Sequence, residues 1–248
     1  GQAHREYWLK QLHDAPQPPQ LPPDRSPGPD PGLSAARVDV PVDAELVTRL
    51  RALGSAHGAS VVATMLTGFA ELFRRCTGQD DLVIGLAAAG QSFHGQGQLV
   101  GHCVNLLPLR LRLDTADGFA DALAITRTAL LDAYDHQGVS FGTLLPELEL
   151  TRDGNRPPLV SVVFNIDVRD DDIGHAGLDV GYRTLVRQAE TFELFINVVD
   201  TGTSMVLEAS YRTARYSEER IRAYLADYLG LLRAACGVDS ATTAQKCE

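Results

Sequence analysis

The sequence lacks most features that would assign it quickly to a class of proteins. Its 248 residues carry 22 lysines and arginines against 32 aspartates and glutamates, a net charge of −10. A surface that binds nucleic-acid phosphates needs a basic stripe, so this balance argues against a nucleic-acid partner. No run of about 18 apolar residues occurs and no charged-then-apolar leader opens the chain. We therefore expect a cytoplasmic protein without a membrane partner.

Metal, redox and common catalytic motifs are also missing. The cysteines Cys76, Cys103, Cys236 and Cys247 include no C-x-x-C pair, and none lies at zinc-finger spacing from a histidine. We expect these cysteines to be reduced, and we expect no metal site. The chain contains no G-x-S-x-G, P-loop or H-E-x-x-H motif, so the sites that those motifs build are not predicted.

Hydrophobic patterning predicts interleaved helices and strands. Helical spacing predicts helices over 4–12, after Asp43, after Ser60, over 119–135, over 141–148 and after Ser217. Alternation and apolar runs predict strands at 35–42, 81–89, 103–113, 159–166, 192–199 and 205–211. This order predicts an α/β fold in which helices cover a mixed β-sheet.

The domain boundaries follow from composition. Pro16 to Pro31 holds eight of the thirteen prolines, and this density forbids a helix or a strand ladder. We expect a linker helix and an extended strap over residues 1–32, a lobe over 33–238 and a polar tail over 239–248.

Few polar residues interrupt the predicted core. Asn105 lies in an apolar strand, where a buried amide needs hydrogen-bond partners. Its amide either ties loops together or lines a polar channel, and Pro108 in the same strand is expected to introduce a bulge. His102 and His136 lie at the ends of predicted elements, where a structural histidine is favoured over a catalytic one.

Several segments resemble signatures of one family. Val100-Gly-His-Cys-Val-Asn-Leu-Leu-Pro-Leu-Arg110 resembles I/V-G-x-F-V-N-T/L-x-x-x-R, and His136-Gln-Gly-Val-Ser-Phe141 resembles H-Q-D-x-P-F-E. Arg152-Asp-Gly-Asn-Arg-Pro-Pro-Leu159 resembles R-D-x-S-R-N-P-L, and Leu21-Pro-Pro-Asp-Arg25 resembles the linker pattern L-P-T-D-R. These patterns belong to condensation domains of non-ribosomal peptide synthetases, and the chain follows their order over about residues 6–236.

The resemblance implies a chloramphenicol-acetyltransferase-like lobe, the C-terminal half of a two-lobed domain. The family's H-H-x-x-x-D-G motif is absent from the sequence, so no catalytic residue is expected here and the chain alone is expected to be inactive. The implied function is to shape the tunnel where a carrier-bound acceptor amine attacks a carrier-bound donor thioester. The implied partners are the N-terminal lobe and carrier proteins, whose phosphopantetheine arm delivers the substrates and is not a bound cofactor.

The resemblance also implies roles for particular residues. The expected tunnel-lining residues are Ala87, Gly101, His102, Asn105, Arg110 and Asn165. Residues expected to be structural are His136, Phe141, Arg152 and Asp153. Ala87 stands where related epimerisation domains carry a glutamate, and alanine cannot do acid–base work, so condensation is favoured over epimerisation.

Two other functions remain open. Degenerate condensation-like domains act as non-catalytic recruitment modules, which is the alternative to a catalytic lobe. A stand-alone acyltransferase that uses coenzyme A is disfavoured by the linker pattern and by the lack of a basic phosphate-binding cluster. Gly138, Ser140 and the His102–Cys103 pair depart from the family patterns, which leaves the donor and acceptor substrates open.

Overall fold

The computed structural model describes residues 1–26, 28, 32–90, 100–148, 150, 157–169 and 184–238. The helices within these ranges are α1 (Gln2–Leu12), α2 (Ala44–Ala56), α3 (Val61–Thr77), α4 (Phe119–Asp135), α5 (Phe141–Leu144) and α6 (Glu218–Ala235). The strands are β1 (Ala35–Val42), β2 (Asp81–Ala89), β3 (Val104–Arg112), β4 (Val162–Val168), β5 (Leu194–Asp200) and β6 (Met205–Arg212). None of these helices is both long and apolar enough to cross a lipid bilayer.

The six strands form one mixed sheet in the order β1-β6-β5-β4-β2-β3. Strand β4 runs parallel to β2 and β5, whereas the β1–β6, β5–β6 and β2–β3 pairs are antiparallel. The predicted α/β fold with a mixed sheet is therefore confirmed. Strands β1 and β3 are the two edges.

The strand register divides the sheet into a core face and a second face. On the core face, Ala209 of β6 pairs with Ile196 of the neighbouring strand β5 and with Val38 of the neighbouring strand β1. Helix α3 packs against this face, where the rings of Phe69 and Phe164 are 5.6 Å apart. Helices α3 and α6 approach closely, because a Cβ on Gly68 would lie 2.5 Å from Leu232 Cδ2.

Three helices begin at the capping residues that the sequence predicts. The side-chain oxygens of Asp43, Ser60 and Ser217 each accept a hydrogen bond from the backbone N–H three residues later. Such caps satisfy backbone donors that have no partner within the helix.

The proline-rich strap is held to the lobe through its carbonyl groups. Proline has no N–H, so such a segment can mainly accept hydrogen bonds. Tyr216 Oη donates to the carbonyl of Leu21 at 3.0 Å, Tyr224 Oη donates to that of Pro22 at 2.6 Å, and Ser161 Oγ donates to that of Pro19. Leu21 is also part of the core, as are Trp8 and Leu12 of α1. The boundary at residue 32 stays a prediction, but the strap and the lobe share one hydrophobic core.

Two expectations about β3 and β4 are wrong. Pro108 causes no bulge, because all nine residues of β3 pair in an unbroken register with β2. Pro108 is tolerated since β3 is an edge strand, where a missing donor need not break the ladder. Strand β4 begins at Val162 and not at Leu159, because Leu159 has a φ of 67°, in the left-handed region that a strand cannot use.

Two further expectations need correction. The helix predicted over 141–148 ends at Leu144 and continues as a 3-10 turn over Leu145–Glu147, where Pro146 cannot extend an α-helical ladder. The expectation of reduced cysteines fails at Cys76, which is disulfide-bonded. It lies half-buried in the last turn of α3. Cys103 and Cys236 are free.

Candidate functional site

The strand register places the expected tunnel residues on different faces of the sheet. Ala87 pairs with Leu106, and Ala88 pairs with Asn105. Because successive residues of a strand point to opposite faces, Ala87 lies on the second face and Asn105 on the core face. Strand β4 pairs with β2 only at Gly85–Val163 and Leu86–Phe164, and by alternation Asn165, two residues after Val163, lies on the same face as Ala87. The register thus puts Ala87 and Asn165 on one face of the sheet and Asn105 on the other.

Asn105 ties β3 to the loop that leads into α5. Its Nδ2 donates to the carbonyls of Gln137 and Val139, at 3.2 and 2.9 Å, and its Oδ1 accepts from the backbone N–H of Phe141 at 3.3 Å. Both amide hydrogens are used by the backbone. Of the two sequence alternatives, the loop tie is what these contacts form, and a channel role for Asn105 stays a prediction.

Arg110 fastens the end of α1 to the sheet. Its Nε and Nη2 donate to Asp81, and its Nη1 and Nη2 donate to the carbonyls of Gln11, His13 and Asp14 at 2.7–3.0 Å. All five guanidinium N–H groups have a partner, and the side chain is only 6% exposed. In the described part of the lobe, Arg110 has no donor left for a substrate.

His136 is packed between α1 and α4. Its ring stacks on Tyr7 with the centroids 3.8 Å apart, and its carbonyl accepts from Trp8 Nε1 at 2.9 Å. His136 Nδ1 lies 2.8 Å from the carbonyl of Asp132, which can only accept, so Nδ1 carries the proton. Burial, with a smaller contribution from Asp132, raises the pKa of Tyr7 to about 12. These contacts pack His136 against α1, and its structural role stays a prediction.

For the remaining expected residues that lie within the described ranges, the structure mainly shows their exposure. Gly101 and His102 are exposed just before β3, and Phe141 is half-buried at the start of α5. Arg152 and Asp153 lie outside the described residues.

A row of polar side chains crosses the second face around Asn165, and we call Asn165, Asp167, Asn197 and Glu208 the polar row. Asn165 Nδ2 donates to Asn197 Oδ1 at 2.8 Å and to Asp167 Oδ1 at 3.1 Å. Asn197 Nδ2 donates to Asp167 Oδ2 at 3.1 Å and to Glu208 Oε2 at 3.0 Å. The two amides and two carboxylates therefore form one connected network across β4, β5 and β6.

Two arginines flank the polar row. Arg37 Nη1 lies 3.6 Å from Glu208 Oε1, and Arg37 Nε lies 2.7 Å from Asp39 Oδ1. At the other end, Arg169 Nη2 lies 3.4 Å from Asp167 Oδ2. The arginines offset much of the negative charge of the carboxylates, which lowers the cost of burying Glu208 and Asn197.

The sequence pattern singles out only Asn165 of this row. The sequence does carry a signal for other polar residues of this face. Asn197 interrupts the apolar run of β5. Asp39 in β1 and Glu208 in β6 each have another polar residue two positions away, on the same face of the strand. Alternation alone predicts such residues to be solvated. Only the register brings them together.

Solved structures of known proteins identify the fold. A holo four-domain nonribosomal peptide synthetase matches with a TM-score of 0.82 and 18% identity, over 94% of this chain and 19% of that one. The condensation domain of the monacolin K polyketide synthase MokA matches with a TM-score of 0.77 and 21% identity, over 95% of this chain and 57% of that one. The protein has the chloramphenicol-acetyltransferase-like fold of condensation domains.

The family follows from sequence. The family model of the condensation domain matches residues 1–245. A linear gramicidin synthase of Brevibacillus parabrevis is 31% identical over 218 residues, 87% of this chain and 4% of that protein. Malpibaldin synthetase of Mortierella alpina is 29% identical over 234 residues, 94% of this chain and 4% of that protein. The chain belongs to the condensation-domain family of non-ribosomal peptide synthetases, and it spans only a small part of the length of these two relatives.

Proposed function

We propose that the chain is the C-terminal lobe of a peptide-synthetase condensation domain. In this proposal it shapes the tunnel in which a carrier-bound acceptor amine attacks a carrier-bound donor thioester to form an amide. The observation that carries the proposal is the family match over residues 1–245 in a chain that contains no H-H-x-x-x-D-G motif. Carrier proteins and an N-terminal lobe are the proposed partners, and the cytoplasm is the proposed compartment.

The lobe would act by positioning its substrates and not by proton transfer. Holding two reactants in the right geometry can supply a large part of a rate enhancement. Ala87 and Asn165 are the proposed tunnel residues that share one face, and Ala87 offers no group that could move an α-proton, which supports condensation over epimerisation. The carriers' phosphopantetheine arms would bring the thioesters, and the lobe itself would hold no cofactor.

Amide formation between two loaded carrier proteins tests this function. We expect no product from the chain alone, and product when it is joined to an N-terminal lobe that carries H-H-x-x-x-D-G. A fusion in which the histidine motif is replaced by alanines is the control, and it should form no amide. Turnover by the chain alone that is lost on His102→Ala or His136→Ala would contradict the proposal.

The second candidate is a non-catalytic recruitment module. A solved complex of an X-domain with OxyB from teicoplanin biosynthesis has the same fold, with a TM-score of 0.81 and 20% identity over 95% of this chain and 52% of that one. If the proposed N-terminal lobe carries a broken histidine motif, and the joined lobes bind a partner protein without forming amides, this second function replaces the first.

A further inference from the structure

The orientation of the Asn165 side-chain amide is fixed by its neighbours. An ionised carboxylate can only accept hydrogen bonds, so the atom of Asn165 that lies 3.1 Å from Asp167 Oδ1 must be Nδ2. The same Nδ2 donates to Asn197 Oδ1 at 2.8 Å. Turning the amide over would put its oxygen against two other oxygens. The assignment therefore follows from the chemistry of the contacts.

Asn197 is oriented by the same reasoning. Its Nδ2 lies between two carboxylates, 3.1 Å from Asp167 Oδ2 and 3.0 Å from Glu208 Oε2. Both of its hydrogens are used there, so its Oδ1 is left to face Asn165. Asp167 and Asn197 together hold the Asn165 amide in one orientation.

This arrangement leaves one acceptor of the polar row without a donor. Within the described residues, no hydrogen bond is donated to Asn165 Oδ1. Asn165 is half-buried, and it lies just beyond the last pair of β4 with β2, Leu86–Phe164, on the same face as the small residue Ala87. Asn105 differs, because the oxygen of its amide already accepts from Phe141.

The charges around Asn165 limit the class of ligand. Arg37 and Asp39 pair with each other at the far end of the polar row, and nearer to Asn165 the two carboxylates of Asp167 and Glu208 stand against the guanidinium group of Arg169. One excess negative charge among these groups disfavours an anionic ligand group and suits a neutral or positive N–H donor.

We infer that Asn165 Oδ1 accepts a hydrogen bond from an N–H group of the thioester substrate, and that Asp167 and Asn197 are positioning residues for it. This inference rests on the proposed function. A pantetheine-linked aminoacyl thioester has N–H groups from two sources, the amides of the arm and the amine of the acceptor.

Nuclear magnetic resonance of the 248-residue chain tests the inference directly. The side-chain NH₂ signals of 15N-labelled Asn165 are followed during titration with pantetheine, whose N–H groups are the two arm amides, and with alanine methyl ester, whose N–H groups are those of the amine. We expect saturable shifts with at least one compound, and the compound that shifts the signals identifies the source. Asn165→Leu, which removes the acceptor, should abolish the binding detected by shifts elsewhere on β4.

Asp167→Asn tests the positioning role. An amide at position 167 can donate or accept, so the Asn165 amide loses its fixed orientation. We expect the Kd of the compound that binds to rise about tenfold, equivalent to about 1.4 kcal/mol, which is the size of one neutral hydrogen bond. The NH₂ protons of Asn165, held by a carboxylate in the wild-type chain, should also exchange faster with solvent.

Asp39→Asn is the matched control. It makes the same change of carboxylate to amide on the same face, next to Arg37, without touching Asn165. Its Kd should stay within about twofold of the wild-type value, a small change for a site outside the contact.

No shift with either compound, unchanged binding in Asp167→Asn, or equal losses in both variants would overturn the inference. Joined lobes that form amides while the titration shows no binding would refute this inference alone. Binding without amide formation would refute only the proposed function.

Discussion

Asn105 and Asn165 are both half-buried asparagines within strands, and the family resemblance implies a tunnel-lining role for both. Asn105 lies on the core face and gives its whole amide to the backbone of the loop before α5. Asn165 lies on the second face, donates its amide to two side chains, and keeps an acceptor that no described residue uses. The same residue type therefore serves as a structural tie in one place and as a candidate binding group in the other.

The difference extends to the regions around them. Near β3, motif residues fasten separate segments together: Asn105 holds a loop, Arg110 holds α1, and His136 stacks on Tyr7. We call these contacts the β3 ties. On the second face, the polar row bonds mainly to itself. Residues that satisfy backbone groups of other segments should matter most for stability, whereas the polar row should matter most for binding.

Replacing Arg110 should give the largest loss of stability. Arg110→Met keeps much of the side-chain volume but leaves Asp81 and three carbonyls at the end of α1 without their donors. We expect the free energy of unfolding to fall by about 3 kcal/mol, near the range for breaking a buried ion pair. Urea denaturation measures this loss, and Trp8, the only tryptophan, is buried in α1 and reports its release by fluorescence.

Arg112→Met is the control for that substitution, because Arg112 is exposed on the same strand. Its effect should stay within about 0.5 kcal/mol, as for most surface changes. Equal losses in the two variants would mean that the hydrogen bonds of Arg110 do not hold α1.

Asn105→Ala should have an intermediate effect. The carbonyls of Gln137 and Val139 and the N–H of Phe141 would lose their partner, which should cost about 1–3 kcal/mol in the free energy of unfolding. Asn165→Ala on the other face should cost less, because no described backbone group bonds to its side chain. Thermal or urea unfolding of the two variants side by side measures the contrast.

A larger loss for Asn165→Ala than for Asn105→Ala would break the comparison between the two faces. The rate of amide formation in the joined lobes adds a second test of the comparison. If a well-folded Asn105→Ala variant slows amide formation in the joined lobes, Asn105 has a channel role in addition to its tie.

Tyr7 should add a small dependence on alkaline pH. Burial raises the pKa of its phenol to about 12 in the folded chain, above the ordinary value of 10. The unfolded chain therefore loses this proton first, so the contribution of Tyr7 is complete below about pH 10 and is lost between about pH 10 and 12. The phenol is only half-buried, and after allowance for solvent screening we expect less than about 1 kcal/mol.

Tyr7→Phe is the test, because it keeps the ring that stacks on His136 and removes the titrating group. The difference in unfolding free energy between this variant and the wild-type chain should change between about pH 10 and 12 and be constant at lower pH. A difference that does not vary with pH would place Tyr7 in the same environment in both states.

The sequence by itself determined the local structure and the family. Asp43, Ser60 and Ser217 cap their helices as predicted, because a side-chain cap acts on a backbone N–H only three residues away. The strands at 35–42 and 81–89 have the predicted bounds, since their patterns are local too. The signature segments around Asn105 and His136 identify the family without any knowledge of contacts.

Only the tertiary structure decided which face each polar residue occupies and what it bonds. The resemblance puts Asn105 and Ala87 in one tunnel, but the pairing of β2 with β3 puts them on opposite faces. The polar row joins residues up to 43 positions apart in sequence, from Asn165 to Glu208, across parallel and antiparallel pairs. Register depends on how distant strands pack, and a shift of one residue would move every side chain of a strand to the other face. No local pattern contains that information, so the site could be assembled only from the fold.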